Sequence, residues 1–264
     1  MRQERLYRTE AIVLRERDYA EADRILTLLT PNGKLTAIAR GIRRAISRKA
    51  GQLILFARAQ LLLARGRELD TITQAESLET YEGLRQDLVR FGYACYVGEL
   101  VERLAQEEEE NRPLYDLVNE TLRHIAEGRD PRLWTRYFEL RLLSLGGYRP
   151  ELFTCVGCGR ALAPETNFFS LEQGGLLCPT CGAANPRAKA VSVNAQKVLR
   201  YLQTHDEAEV AVLSLTPATH AEVEGLLQAY LEYTLERELR SATFLERLRR
   251  ELRRFQPDGA REES

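Results

Sequence analysis

Thr9-Glu-Ala-Ile-Val-Leu-Arg-Glu-Arg17 and Ala22-Asp-Arg-Ile-Leu-Thr-Leu-Leu-Thr30, followed by Pro31-Asn-Gly33 and Lys34-Leu-Thr-Ala-Ile-Ala-Arg40, decide the fold of the N-terminal third. The apolar runs are short, rich in strand formers and divided by turn residues rather than helix caps, so each reads as a β-strand. Proline presets φ and Asn-Gly supplies positive φ, which predicts a hairpin between the second and third strands. Outward from this core, Leu53–Ala64 and Asp70–Ser77 read as two further strands. Five short strands within residues 1–80 predict an OB-like or related small barrel, a scaffold that often binds nucleic acid.

The charge is unevenly distributed along the chain. The 264 residues carry a formal net charge of −1, yet residues 1–80 hold 15 Lys or Arg against 10 Asp or Glu, and the rest of the chain holds 23 against 29. No acidic residue lies between Asp23 and Glu68, a window with ten basic residues and no local compensation. Within it, Arg40-Gly-Ile-Arg-Arg-Ala-Ile-Ser-Arg-Lys-Ala-Gly51 links the third and fourth strands. A loop of this composition can mould itself to a phosphate backbone through Arg40, Arg43, Arg44, Arg48 and Lys49. The bland alternative is a solvated basic loop, and its place on a barrel favours nucleic-acid contact. Tyr7, Tyr19 and Phe56 are the main aromatics available for stacking on bases, and each could equally be core. Contacts dominated by phosphate, sensitive to salt and tolerant of sequence are therefore expected.

From Glu82 the apolar spacing changes to three and four, through Leu84, Leu88, Phe91, Cys95, Val97, Leu100 and Leu104, and predicts a helix. Asn111 with Pro113 opens a second, and Asp130-Pro131 opens a third that Gly146-Gly147 closes. Asn194–Thr204 reads as another helix, Thr216-Pro217 opens a long one through Arg240, and Ser241-Ala-Thr243 separates it from a basic final helix, Phe244–Phe255. The fold class is thus α+β: a barrel at 1–80, then a helical domain at 81–255 with an insertion at 150–190. Residues 256–264 carry no packing pattern and read as a disordered tail.

That insertion holds Cys155-Val-Gly-Cys158 and Cys178-Pro-Thr-Cys181, 19 residues apart and each followed by glycine. Four thiolates at this spacing describe a closed tetrahedral zinc site, with Gly159 and Gly182 supplying the positive φ that such knuckles favour. One structural Zn2+ is expected. The competing reading is a pair of disulfides. The opening MRQERLYRTE has no apolar signal core and no run reaches membrane-spanning length, so a cytoplasmic, reduced protein is expected. Cys95, in an apolar stretch, reads as a buried core thiol.

A catalytic constellation does not emerge from the residues. His205-Asp206-Glu207 matches the H-x-E of zinc nucleobase deaminases, but it follows both cysteine pairs, and Thr154 and Leu177 stand where proline should precede the cysteines. His124 and His220 read as ordinary helix residues, and neither a P-loop nor a dinucleotide fingerprint occurs. A non-enzymatic protein is expected.

Taken in order, a set of segments resembles the bacterial RecO family of recombination and repair proteins. They are Ala11-Ile-Val-Leu14, Tyr19-Ala-Glu-Ala-Asp-Arg-Ile-Leu-Thr-Leu-Leu-Thr30, Gly33-Lys34, Ala37-Ile-Ala-Arg-Gly-Ile-Arg-Arg44, Phe138-Glu-Leu-Arg-Leu-Leu143, Gly147-Tyr148 with Pro150, Cys155-Val-Gly-Cys-Gly159, Gly174-Gly-Leu-Leu-Cys178 and Tyr230-Leu-Glu-Tyr233 near Ser241. The resemblance implies an N-terminal OB fold, a helical domain and, in many relatives, a zinc module. It also implies binding of single- and double-stranded DNA, annealing of complementary strands, association with RecR and with the acidic tail of single-strand-binding protein, and help in loading RecA. It makes Lys34, Arg40, Arg43 and Arg44 DNA contacts, whereas Arg48 and Lys49 are an extension from charge and loop position. Nucleoid association and no membrane partner follow from the same reading. The alternatives are a zinc-ribbon RNA-binding accessory protein, which an RNA preference would reveal, a cysteine redox protein and a deaminase.

Overall fold

The computed structural model describes residues 5–44, 47, 49–105 and 109–255; the tail expected at 256–264 lies outside them. Five strands, β1 (Leu6–Tyr19), β2 (Asp23–Thr30), β3 (Gly33–Ala39), β4 (Arg58–Ala64) and β5 (Asp70–Glu79), close a barrel in the order β1-β2-β3-β5-β4. All pairings are antiparallel except β3 with β5, which meet in parallel at Ala37–Asp70 and Ile38–Thr71. Ala11, Val13, Leu26, Leu28, Ala37, Leu61, Leu63 and Ile72 fill its interior. The period of two along β1 to β4 produces this filling, since alternate side chains share a face.

The hairpin forms where expected, with Thr30 paired to Gly33 across Pro31-Asn32. Only Gly33 takes positive φ, at 97°. Proline at the second turn position and glycine at the fourth suit a type I turn, which asks nothing unusual of Asn32.

The fourth strand is shorter than Leu53–Ala64, because Leu53–Ala57 is a buried turn. There Phe56 adopts a φ of 65°, and its N–H donates to the Val13 carbonyl at 2.8 Å. Its ring leaves the barrel to meet Phe91 edge-on at 5.7 Å. Gly98 makes room, since a Cβ there would lie 2.9 Å from the Phe56 ring. A left-handed aromatic costs about 1–3 kcal/mol, which burial of the ring offsets.

Helices follow: α1 (Glu82–Gln86), α2 (Leu88–Leu104), α3 (Arg112–Ala126) and α4 (Pro131–Leu145). The single helix expected from Glu82 is broken because Asp87 is extended and caps α2, its carboxylate accepting from the N–H groups of Val89 and Arg90. Asn111 and Asp130 cap α3 and α4 as their sequence signals predict. A three-stranded antiparallel sheet of β6 (Asn167–Ser170), β7 (Gly175–Leu177) and β8 (Lys189–Val191), with α5 (Pro179–Ala183), forms the cysteine module. Then come α6 (Val193–Thr204), α7 (Glu207–Val210), α8 (Pro217–Leu235) and α9 (Arg240–Phe255). The long helix therefore stops before Arg240, at Glu236 with φ 52°, and the last one starts earlier than Phe244.

Packing divides the described residues into two compact units, 5–129 with 239–255, and 130–238. In the first, α9 lies on α2, where Leu245 sits over Gly92. In the second, α4 packs on α6 and α8 around Trp134, Phe138 and Leu227, all buried.

Candidate nucleic-acid interface and metal centre

The described residues of the loop expected to meet phosphate turn away from the end of β3, and both of its ends are anchored. The Gly41 N–H donates to the Asp23 carboxylate at 2.7 Å, and the Arg43 N–H to the Ala22 carbonyl at 3.0 Å. At the other end, the Lys49 ammonium donates to the carbonyls of Arg40, 2.9 Å, and Ile72, 3.2 Å. Lys49 is half-buried, and burial holds it below its ordinary pKa, opposed by the Asp23 charge. One of these bonds closes the loop on its own first residue and the other ties it to β5 of the barrel.

Arg40, Arg43 and Arg44 are exposed. Arg43 sits 3.5 Å from Asp18, and Arg24 bridges Glu16 and Asp18 at 2.8 Å each. The β1–β2 pairing places Asp18 opposite Arg24, so acids upstream of the basic window compensate part of it, which the linear charge map did not suggest. The Arg24 hydrogen bond holds the Asp18 carboxyl below its ordinary value. Among the described residues Arg40 and Arg44 have no ion-pair partner, and these guanidinium groups face solvent without a counter-charge. Arg48 lies outside the described residues.

Lys34 is not part of this cluster. It is the second residue of β3 whereas Arg40 follows the strand's end, a separation of about 20 Å at 3.3 Å per residue. Its ammonium donates to the Glu102 carbonyl in the last turn of α2 at 3.0 Å, where the helix dipole favours a cation.

The four cysteines of the second unit converge, with all sulfurs within 4.8 Å of one another. Cys158 Sγ and Cys178 Sγ are 3.9 Å apart. A tetrahedron with Zn–S bonds of about 2.3 Å has edges of about 3.8 Å, whereas a disulfide needs about 2.05 Å, so the donor set fits a metal ion. Glu151 shapes the first knuckle by accepting from the N–H groups of Phe153, 2.7 Å, and Thr154, 2.9 Å, and these bonds hold its pKa low. Val156 N–H pairs with the Leu176 carbonyl at 2.9 Å, and Cys178 N–H points at Cys155 Sγ at 3.2 Å. Gly159 has the expected positive φ, at 72°. Gly182 does not; it lies in α5, and its role is closeness, since a Cβ would come within 2.3 Å of the Phe168 ring.

Without a cation, Cys158 and Cys181 titrate far apart. Hydrogen bonds from Arg160, whose Nε is 3.4 Å away, pull Cys158 down to about 6, while hydrogen bonds shared with Cys178, Cys155 and Cys158 push Cys181 up to about 12. Burial raises Cys155, but N–H groups of Cys178, Cys158 and Gly157 outweigh it and the net direction is down. A divalent ion would let all four be thiolates together. Cys95, half-buried, is pushed up to about 11 by burial.

The family models Recombination protein O N terminal and Recombination protein O C terminal match residues 1–81 and 85–243. The chain belongs to the RecO family. It is 46% identical over 254 residues to the DNA repair protein RecO of Roseiflexus sp. (strain RS-1), covering 96% of this chain and 90% of the relative. Identity to the DNA repair protein RecO of Desulforudis audaxviator is 42%, covering 92% and 97% of the two chains, and to that of Pelotomaculum thermopropionicum 41%, covering 92% and 94%. It is thus a member of a DNA repair and recombination family. No helix among the described residues is long and apolar enough to cross a membrane.

In this RecO-family chain His205, Asp206 and His220 have structural partners. Asp206 caps α7 in a capping box with Glu209, His205 stacks on Tyr201 at 3.8 Å, and His220 Nε2 lies 3.0 Å from the Asp130 carboxylate. Arg65, one of the ten basic residues of the window, lies above the Tyr7 ring at 4.8 Å. The sequence signal for it is Arg65-Gly66-Arg67 between the fourth and fifth strands, a connection that OB-type barrels use for ligands.

Proposed function

We propose that this RecO-family chain is a non-catalytic recombination mediator that binds single- and double-stranded DNA, anneals complementary strands and helps load RecA onto strands coated by single-strand-binding protein. The observation that carries the reading is the anchored loop on the barrel, which presents Arg40 and Arg44 without counter-charges. Annealing requires two polyanions to approach while their bases stay free. Guanidinium groups that neutralise phosphate without contacting bases meet that need, and base pairing supplies the driving force. Arg40, Arg43, Arg44 and Arg48 supply these contacts, Lys49 holds the loop, and Lys34 adds a separate point of contact.

Cys155, Cys158, Cys178 and Cys181 hold one structural Zn2+, which fixes the module and supplies no reactive position. RecR and the acidic tail of single-strand-binding protein are the protein partners. Their binding raises the local concentration of the barrel at coated strands. A cytoplasmic location, in association with the nucleoid, goes with this reading.

Replacing Arg40, Arg43 and Arg44 together with Ala is expected to weaken DNA binding and to lower the slope of log affinity against log salt by about two to three, with the fold retained. An unchanged slope in the folded variant would remove the loop from the interface. A clear preference for RNA in competition would favour an RNA-binding accessory protein instead.

A further inference from the structure

At the end of the barrel where β1 begins, a cleft of about 260 Å³ opens between β1, the β2–β3 hairpin and the β4–β5 connection, lined by Tyr7, Asn32, Lys34, Leu35, Arg65 and Asp70 among others. Tyr7 packs against the barrel core, and its hydroxyl donates to the Asp70 carboxylate at 2.5 Å. The other Asp70 oxygen accepts from the Gly66 N–H at 2.9 Å, and the Arg65 N–H donates to the Arg5 carbonyl at 2.9 Å. Tyr7, Asp70 and Arg5 thereby fix the connection that carries Arg65. The Arg65 guanidinium lies 4.8 Å from the Tyr7 ring centroid, in an exposed residue with no ion-pair partner among those described.

We propose that this cleft is a base subsite: one unstacked base of a single strand stacks on the Arg65 guanidinium, which Tyr7 supports from the other side. The inference rests on the DNA-binding reading and adds to it a contact with bases, where the basic loop contacts only phosphate. Guanidinium planes stack on bases as aromatic rings do, and a cation already backed by an aromatic ring is held in the required orientation. The groups around it suit a nucleotide. Asn32 is exposed at the rim with an amide able to donate and accept, and Lys34 keeps two donors for a flanking phosphate after its bond to Glu102. A duplex cannot place a base here without unstacking it, so the subsite favours single strands.

The test compares a single-stranded oligonucleotide with one of equal length lacking its bases, so that the phosphates are the same. Wild type is expected to bind the base-containing strand about 5- to 10-fold more tightly, from one base stack. Arg65→Lys keeps the charge and loses the plane; the preference should fall toward one while affinity for the abasic strand changes by less than about twofold. An Arg65→Lys variant that keeps the full preference, or a wild type with none, overturns the subsite. Binding of neither strand by wild type overturns the DNA-binding reading as well.

Discussion

Four of the five cysteines differ from the fifth in what surrounds them. Cys155, Cys158, Cys178 and Cys181 meet at distances that fit a metal ion, backed by N–H groups and Arg160, whereas Cys95 is a thiol that burial keeps protonated. Replacing Cys155 and Cys158 with Ser is expected to abolish metal binding and melt the module. Elemental analysis should find about one zinc per chain in wild type and none in the variant; a variant holding its full zinc complement contradicts the four-cysteine assignment. The spacing alone made this site legible, because ligand chemistry fixes residue type and interval. Other residue roles were hidden. Gly182 looked like a turn glycine, but Phe168, fourteen residues upstream, decides it. Lys49 carries the same charge as its neighbours, and only its carbonyl partners show that it braces the loop.

Among the elements, α9 is docked through a cap supplied by another helix. The carboxylate of Glu99 on α2 accepts from the N–H groups of Arg240, 3.2 Å, and Ser241, 2.8 Å, and from the Ser241 hydroxyl, and it also pairs with Arg103. Burial would raise its pKa, but the Ser241 and Arg240 bonds and the Arg103 charge outweigh it and hold it low. A carboxylate with a depressed folded value contributes stability above the ordinary glutamate pKa of about 4.3, lost as pH falls through the folded value. Glu99→Ala should therefore lower stability by about 1–3 kcal/mol at pH 7 in chemical unfolding, with the difference shrinking below about pH 4. Equal stabilities at pH 7 would mean that the cap contributes nothing. Local caps such as Asn111 and Asp130 were legible because signal and helix adjoin in sequence. The start of α9 was not, since Ser241 reads as a breaker until Glu99 is beside it. The same holds for Phe56, an apolar residue in an apolar run that turns outward only because Gly98 leaves space.

At the scale of the whole molecule, strand count and turn chemistry made the barrel legible, while its closure by the short parallel β3–β5 pairing depends on long-range contacts that no local pattern reports. The uneven charge survives folding in reduced form: Glu16 and Asp18 neutralise part of the basic window, and Arg40 and Arg44 of the loop are among the charges left uncompensated. In the function proposed above, the arginines of the loop let the chain join complementary strands. Annealing of complementary oligonucleotides, naked and coated with single-strand-binding protein, tests it most directly with wild type and the folded Arg40, Arg43 and Arg44 to Ala variant. Acceleration of both reactions by wild type, lost in the variant, is the predicted result; no acceleration by wild type, or full acceleration by the variant, would contradict it.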